Sequence, residues 1–254
     1  DRSGGLHPWK LGEQPVEILG DVGAITAVTS TGSGHSLSPD HVLKWSDVRV
    51  LTGLSPSQLA EAGIRPGSCG VPMRSMCTPV VFGDPADPLV GAWTFDDRMG
   101  VVALLRLLQV IQAEKLVPHR PTIIAFTTQE EIGGQGAKWV AQHEKPEVFI
   151  AIDGCPIPPN SHMKLDGCPG IWSKDRLGYY DQRLVRFLLN AARQVGVEFQ
   201  PVVYDSTASD AGMVQASGLA PRVAVLGHVR ENSHGFEVAR LSVFDNLFKV
   251  LVQF

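Results

Sequence analysis

The run "TIIAFTTQEEIGGQGAKWV" (122–140) passes from β-branched residues, through two adjacent glutamates and two glycines, into residues at helical spacing. Residues 122–128 lack polar alternation, which predicts a strand buried on both faces. Residues 136–143 predict a helix. A buried strand, a turn and a helix in succession form the repeating unit of an α/β fold. The like charges of Glu130 and Glu131, side by side at the strand's end, repel each other unless a cation neutralises them.

The same rhythm continues outward in both directions. Residues 99–115 and 181–196 carry apolar side chains at helical spacing, and 147–153, 199–205 and 222–227 read as strands. Residues 209–218 predict a short helix stopped by glycine, and "EVARLSVFDNLFKVLVQF" (237–254) a closing helix. Strands alternating with helices predict a sheet covered on both faces. Residues 1–92 differ: "VEIL" (16–19), "AITAVTS" (24–30), "VRVLTG" (48–53) and "TPVVFG" (78–83) are β-leaning runs between turn residues. "SPSQLAEAG" (55–63) is the one helical signal there, with Ser55 as N-cap and Pro56 at the first position. The expected organisation is a small β-rich domain over 1–92 and an α/β domain over 93–254.

Bulk properties narrow the function. A length of 254 residues, 44% hydrophobic and 19% charged, is ordinary for a globular chain. A net charge of −4 gives no footprint for nucleic acid or an anionic membrane. No apolar run approaches the ~20 residues that span a bilayer. Cys69, Cys77, Cys155 and Cys168 show no CxxC spacing, and read as reduced thiols of a cytoplasmic protein. Motifs for nucleophile elbows, phosphate loops, dinucleotide sites and HExxH zinc helices are absent.

What remains is a set of acids and one histidine at strand ends. Asp96 and Asp97 lie in "TFDDRMG", Glu130 and Glu131 follow 122–128, Asp153 ends 147–153, and His234 follows 222–227 in "ENSHGFE". Taken singly, each has an ordinary reading as helix cap or solvated charge. Gathered at the carboxyl edge of a sheet, where ligands bind in α/β folds, Asp, Glu and His suit zinc, cobalt or manganese.

The ordered motifs "TFDDRMG", "TTQEEIGGQGA", "AIDG", "STASDAG" and "ENSHGFE" resemble the dinuclear metallo-aminopeptidases of the glutamyl/deblocking type. That family includes tetrahedral aminopeptidases and members labelled endoglucanase. "GGLHPWKLGEQPVEILGDVGAITAV" and "EAGIRPGSCG" resemble its inserted β domain. The resemblance implies a central mixed sheet flanked by helices, with two divalent cations, zinc or cobalt, per subunit. It implies Asp96 as the bridging ligand, Glu131 and His234 completing one site, Asp153 serving the other, and Glu130 as general base. Asp97, Arg98, Asp210 and Arg230 become supporting or substrate-contacting groups. It further implies short peptides as substrates and assembly into dimers or dodecamers.

Two departures qualify the resemblance. "RENSHGFE" replaces the commoner Arg-Tyr-x-His-Ser, and Ala208-Ser209-Asp210-Ala211 replaces Gly-Thr-Asp-Ala. The family also takes a metal histidine from a His-x-Asp motif ahead of the inserted domain, whereas this chain begins inside the part resembling that domain. The absent part would amount to roughly 60–80 residues. His7, His35 and His41 do not fit the motif. Two expectations stand side by side: part of a complete aminopeptidase, or a truncated, impaired homologue acting as a binding or assembly module. Glycoside hydrolysis by a carboxylate pair is a third reading, which gives no work to His234 or to a bridging Asp96.

Overall fold

The computed structural model describes residues 5–34, 38 and 40–254. His35 lies outside the described residues. The chain divides into two compact units at Pro79/Val80.

The first unit contains α1 (Pro8–Leu11), β1 (Pro15–Leu19), β2 (Ala24–Ser30), β3 (Arg49–Leu51), α2 (Pro56–Glu61) and β4 (Cys69–Pro72). Its strands form an antiparallel sheet in the order β3-β2-β1-β4. Register sets Val16 opposite Ala27, and both are buried. Helix α2 starts where the cap signal puts it. The Ser55 hydroxyl accepts from the Gln58 N–H, and the Gln58 side chain accepts from the Ser55 N–H.

The second unit begins with β5 (Val80–Phe82) and β6 (Leu89–Trp93), followed by α3 (Phe95–Ala113) and α4 (Gln135–Glu144). Next come β7 (Val148–Ile152), β8 (Cys155–Pro156), β9 (Gly170–Lys174), α5 (Gln182–Gln194), β10 (Gln200–Val203) and α6 (Asp210–Ala216). The chain closes with β11 (Arg222–Gly227), β12 (Val229–Glu231), β13 (Phe236–Arg240) and α7 (Leu241–Gln253). Two hydrogen-bonded sets, β10-β9-β11-β7 and β5-β6-β13-β12-β8, contain both parallel and antiparallel pairs. The parallel pairing of β7 with β11 runs on into β8 with β12. The Asp153 N–H donates to Leu226, Cys155 to His228 and Ile157 to Arg230. The interruption in this double strand falls at Asp153–Gly154 and His228.

Alternation along β11 explains the two-faced core. Val223 and Val225 join Trp172, Tyr204, Val214 and Ala137 on one face, while Ala224 and Leu226 join Ile171, Leu188 and Leu247 on the other. Helices α4 and α6 contribute to the first cluster, α5 and α7 to the second. Helix α5 is capped by Asp181, whose carboxylate accepts from Arg183 and Leu184 N–H at 2.7 and 2.9 Å. Its buried Leu184, Val185, Leu188, Ala191 and Ala192 follow the helical period. Complete burial of a leucine such as Leu188 contributes about 1.5–3 kcal/mol.

Three readings need correction. Residues 122–128 have no ladder partner among the described residues, and Ile123 and Phe126 are exposed, so the predicted buried strand is an extended, unpaired segment. The closing helix starts at Leu241, because residues 236–240 pair with β6 and β12 as strand β13. Val80–Phe82, read with the β-rich module, pairs with β6 in the second unit's sheet. Helix α3 keeps its expected length but buries only Phe95, Gly100 and Ala103; Val101, Leu105 and Leu108 are exposed.

Candidate metal centre

The second unit brings three of the expected ligands together. Asp96 follows β6, Glu131 sits in the turn before α4, and His234 lies in the turn joining β12 to β13. One donor atom from each lies within 4.8 Å of the others. His234 Nε2 is 3.3 Å from Asp96 Oδ2 and 3.3 Å from Glu131 Oε1. An imidazole nitrogen and two carboxylate oxygens at this spacing form a donor set that closes onto a borderline cation with modest adjustment. The Glu131 side chain is 44% exposed, so the cluster opens to solvent on its side.

Backbone geometry puts these side chains there. Thr94, ahead of Asp96, takes φ +64°. His234 itself has φ +59°. In the glutamate turn, the Gly133 and Gly134 N–H groups both donate to the Glu130 carbonyl at 3.1 Å. Gly134 has φ +62°, and a Cβ there would meet Met213 Sδ at 2.7 Å and Asp210 Oδ1 at 2.9 Å, so only glycine fits.

The remaining expected residues divide. Asp153 is held by its own neighbour, the Gly154 N–H donating to Oδ1 at 2.6 Å. It stands close enough to Asp96 to raise its own carboxyl affinity for protons, yet it is not part of the three-residue cluster. Asp97 accepts from the Gly100 N–H at 3.2 Å and turns into the start of α3. Arg98 is exposed, and nothing described ties it to the site. Asp210 is the first residue of α6, behind the Ser209 cap, and accepts from Thr127 Oγ1 at 2.7 Å, while its Oδ1 is buried without a partner. Arg230 is almost wholly buried, donates from Nη2 to Asp96 Oδ2 at 2.5 Å, and lies over Gly154.

Electrostatics fit a cation. Burial and the neighbouring Asp153 and Glu131 charges push the Glu130 carboxyl up to about 9. Burial, then Asp96, raises Asp153 well above the carboxylate range, and burial, then Asp153, does the same to Asp97. Burial also raises Glu131. Asp96 is the exception: burial favours its protonation, but the Arg230 guanidinium and the His234 ring outweigh that and hold it at about 2. Carboxyls that cannot all ionise together as they stand would ionise around divalent charge. The donor set and this crowding both suit a metal.

Two contributors were not legible beforehand. Glu237, almost wholly buried, accepts the Asp96 N–H at Oε2 (2.8 Å) and the His234 N–H at Oε1 (3.3 Å). The Arg230 Nε lies 2.8 Å from the same Oε1, as an ion pair whose angle does not make a hydrogen bond. The predicted helix 237–254 puts Glu237 at its first position; on a strand it alternates inward with Ala239. His228 is the second. It packs between Phe95 and Phe244 with neither ring nitrogen bonded, and burial, then Arg230, lowers it to about 3.

Comparison with known proteins agrees with this architecture. A putative aminopeptidase of Acetivibrio thermocellus is 28% identical over 164 residues, covering 62% of this chain and 48% of that protein. The putative aminopeptidase FrvX of Escherichia coli K12 is 28% identical over 142 residues, covering 52% and 38%. The chain thus spans about half the length, or less, of these relatives. Among solved structures, a TET aminopeptidase of a marine-sediment Thaumarchaeota archaeon superposes with a TM-score of 0.88 at 20% identity, over 98% of this chain and 71% of that one. The Pyrococcus horikoshii TET1 peptidase, which can assemble into a tetrahedron or a large octahedral shell, gives 0.82 at 24%, over 100% and 74%. Residues 1–250 match the M42 glutamyl aminopeptidase family, and the chain belongs to that family.

Proposed function

We propose that this chain carries the peptidase centre of a metal-dependent aminopeptidase acting on short peptides. The observation that carries the reading is the convergence of Asp96, Glu131 and His234 within 4.8 Å beside crowded carboxyls. Those three residues would hold one cation, zinc or cobalt by donor type. Asp96 and Asp153, neighbours by charge, would hold a second. Bound there, divalent cations supply a Lewis acid for the peptide carbonyl and lower the pKa of a water.

The chain's own residues do the rest. Glu130 follows directly on Gln129 at φ +62° and is tied by its carbonyl to Gly133 and Gly134, so the turn presents it beside Glu131 but leaves it out of the ligand cluster. It is the group to take a proton from the attacking water and deliver it to the leaving amine nitrogen. Arg230 holds the Asp96 carboxylate charged, and Asp210 ties α6 to the segment that leads into the glutamate turn. The resemblance of the first unit to the family's inserted domain, with the shells formed by the Pyrococcus peptidase, supports a homo-oligomer. No helix among the described residues is long and apolar enough to cross a membrane.

The test is hydrolysis of aminoacyl-anilides by purified protein. Activity that a chelator abolishes and zinc or cobalt restores is expected. Glu130→Gln should lower turnover about 10²–10⁴-fold with metal content unchanged. Full activity in that variant would overturn the role of Glu130.

A further inference from the structure

We propose that Glu237 is a positioning residue that sets the separation of Asp96 and His234 before any cation arrives. The proposal rests on the metal-centre reading above and adds a residue that touches neither metal nor substrate.

Strand β13 pairs antiparallel with β6, and Glu237 stands opposite Ala92, on the strand that leads into Asp96. The other side of β13 pairs with β12, and the turn between them carries His234. Glu237 therefore sits between the two chain segments that deliver the ligands. Its two oxygens are divided between them: Oε2 accepts the Asp96 N–H at 2.8 Å and Oε1 the His234 N–H at 3.3 Å. A carboxylate has a fixed span between its oxygens, so one rigid group fixes two backbone positions. The carboxylate is 1% exposed, and water does not compete for those bonds.

Arg230 closes the arrangement. Its Nε pairs with Glu237 Oε1 at 2.8 Å, and its Nη2 bonds Asp96 Oδ2 and Ser233 Oγ. The guanidinium thus links the carboxylate that holds the Asp96 backbone to the carboxylate that Asp96 offers a metal. Groups that orient ligands in this way typically change metal affinity by about 10–100-fold when removed.

A simple charge-balancing role for Glu237 makes a different forecast, and two variants separate the cases. Glu237→Gln keeps the shape but loses the charge and one of the two acceptors. Glu237→Asp keeps the charge for Arg230 but is one carbon too short to serve both N–H groups. Zinc affinity, measured by competition with a chromophoric chelator, should fall about 10–100-fold in both. Wild-type affinity in Glu237→Asp would overturn the proposal, because charge alone would then suffice. Should Glu237→Gln fail to fold, Glu237→Asp decides.

Amide hydrogen exchange on metal-free protein supplies a second readout. In either variant the Asp96 and His234 amides should exchange at least tenfold faster, while the β6–β13 ladder keeps its protection. Unchanged exchange at those two amides would overturn the proposal. Should wild type bind no zinc, the metal-centre reading falls, and the exchange experiment still decides whether Glu237 holds the two backbones.

Discussion

On one side of the site, Asp96, Arg230, His234 and Glu237 are fixed by β6, β12 and β13, with β13 paired to β6 along its whole length and to β12 at Ala239 and Val238. On the other, Glu130 and Glu131 ride on a turn whose approach, residues 122–128, has no ladder among the described residues. The first side is held by backbone pairing and a buried ion pair. The second is held by glycine conformations, the Gly136 N–H bond to the Thr128 carbonyl, and one side-chain bond from Thr127 to Asp210. The side with paired strands is the one suited to holding ligands at fixed distances. In the proposed reaction, the turn would be the side to adjust around a water and a departing amine.

Substitutions on the two sides should therefore behave differently. The largest effect is expected at Gly154, where an added Cβ would collide with the buried Arg230 Nη1. Gly154→Ala should expel the guanidinium and cost about 3 kcal/mol or more in urea unfolding, weakening metal binding with it. A neutral result would mean that the strand side is as adaptable as the turn.

Next comes a pH effect on the same side. His228 is held neutral in the fold at about 3, against an unfolded value near 6.5. Below pH ~6.5 the unfolded chain binds a proton that the folded chain refuses, so stability is present above that pH and lost as pH falls toward 3. The slope is up to about 1.4 kcal/mol per pH unit, or about 2 kcal/mol between pH 6.5 and 5. Comparing the urea midpoints of wild type and His228→Leu across that range isolates the contribution, since the variant should lose that part of the slope.

The smallest effect belongs to the turn. Thr127→Val removes the donor to Asp210 and leaves a carboxylate, raised by burial, without its one bond. A cost of about 1 kcal/mol is expected, with faster amide exchange confined to the turn before α4, and Thr127→Ser should restore both. Loss of protection in β6 and β13 as well would show that the two sides are not independent.

Each of these sides was legible only in part. Helix α5 and strand β11 follow their periods, and their ends carry Asp181 and Gly227 as signals. Position at predicted strand ends marks Asp96, Asp97, Glu130, Glu131, Asp153 and His234 together; the choice of Asp96, Glu131 and His234 among them is what the family resemblance implies. Strand β13 did not, because it runs into α7 at Arg240 with no side-chain cap and no glycine or proline between them. Without that strand, Glu237 could not be seen as an inward-facing acid. Residues 122–128 fail in the opposite sense: their β-branched composition is that of a buried strand, but pairing depends on neighbours that composition does not report. The Thr127–Asp210 bond joins residues far apart in sequence, and no local pattern announces it.

The central claim is that Asp96, Glu131 and His234 close on a single cation. A crystal soaked in zinc, measured at the zinc absorption edge, tests it most directly. An anomalous peak within about 2.0–2.2 Å of a donor atom from each of the three is the predicted result. A zinc-saturated crystal with no peak there, or with its peaks only at other residues, would contradict it.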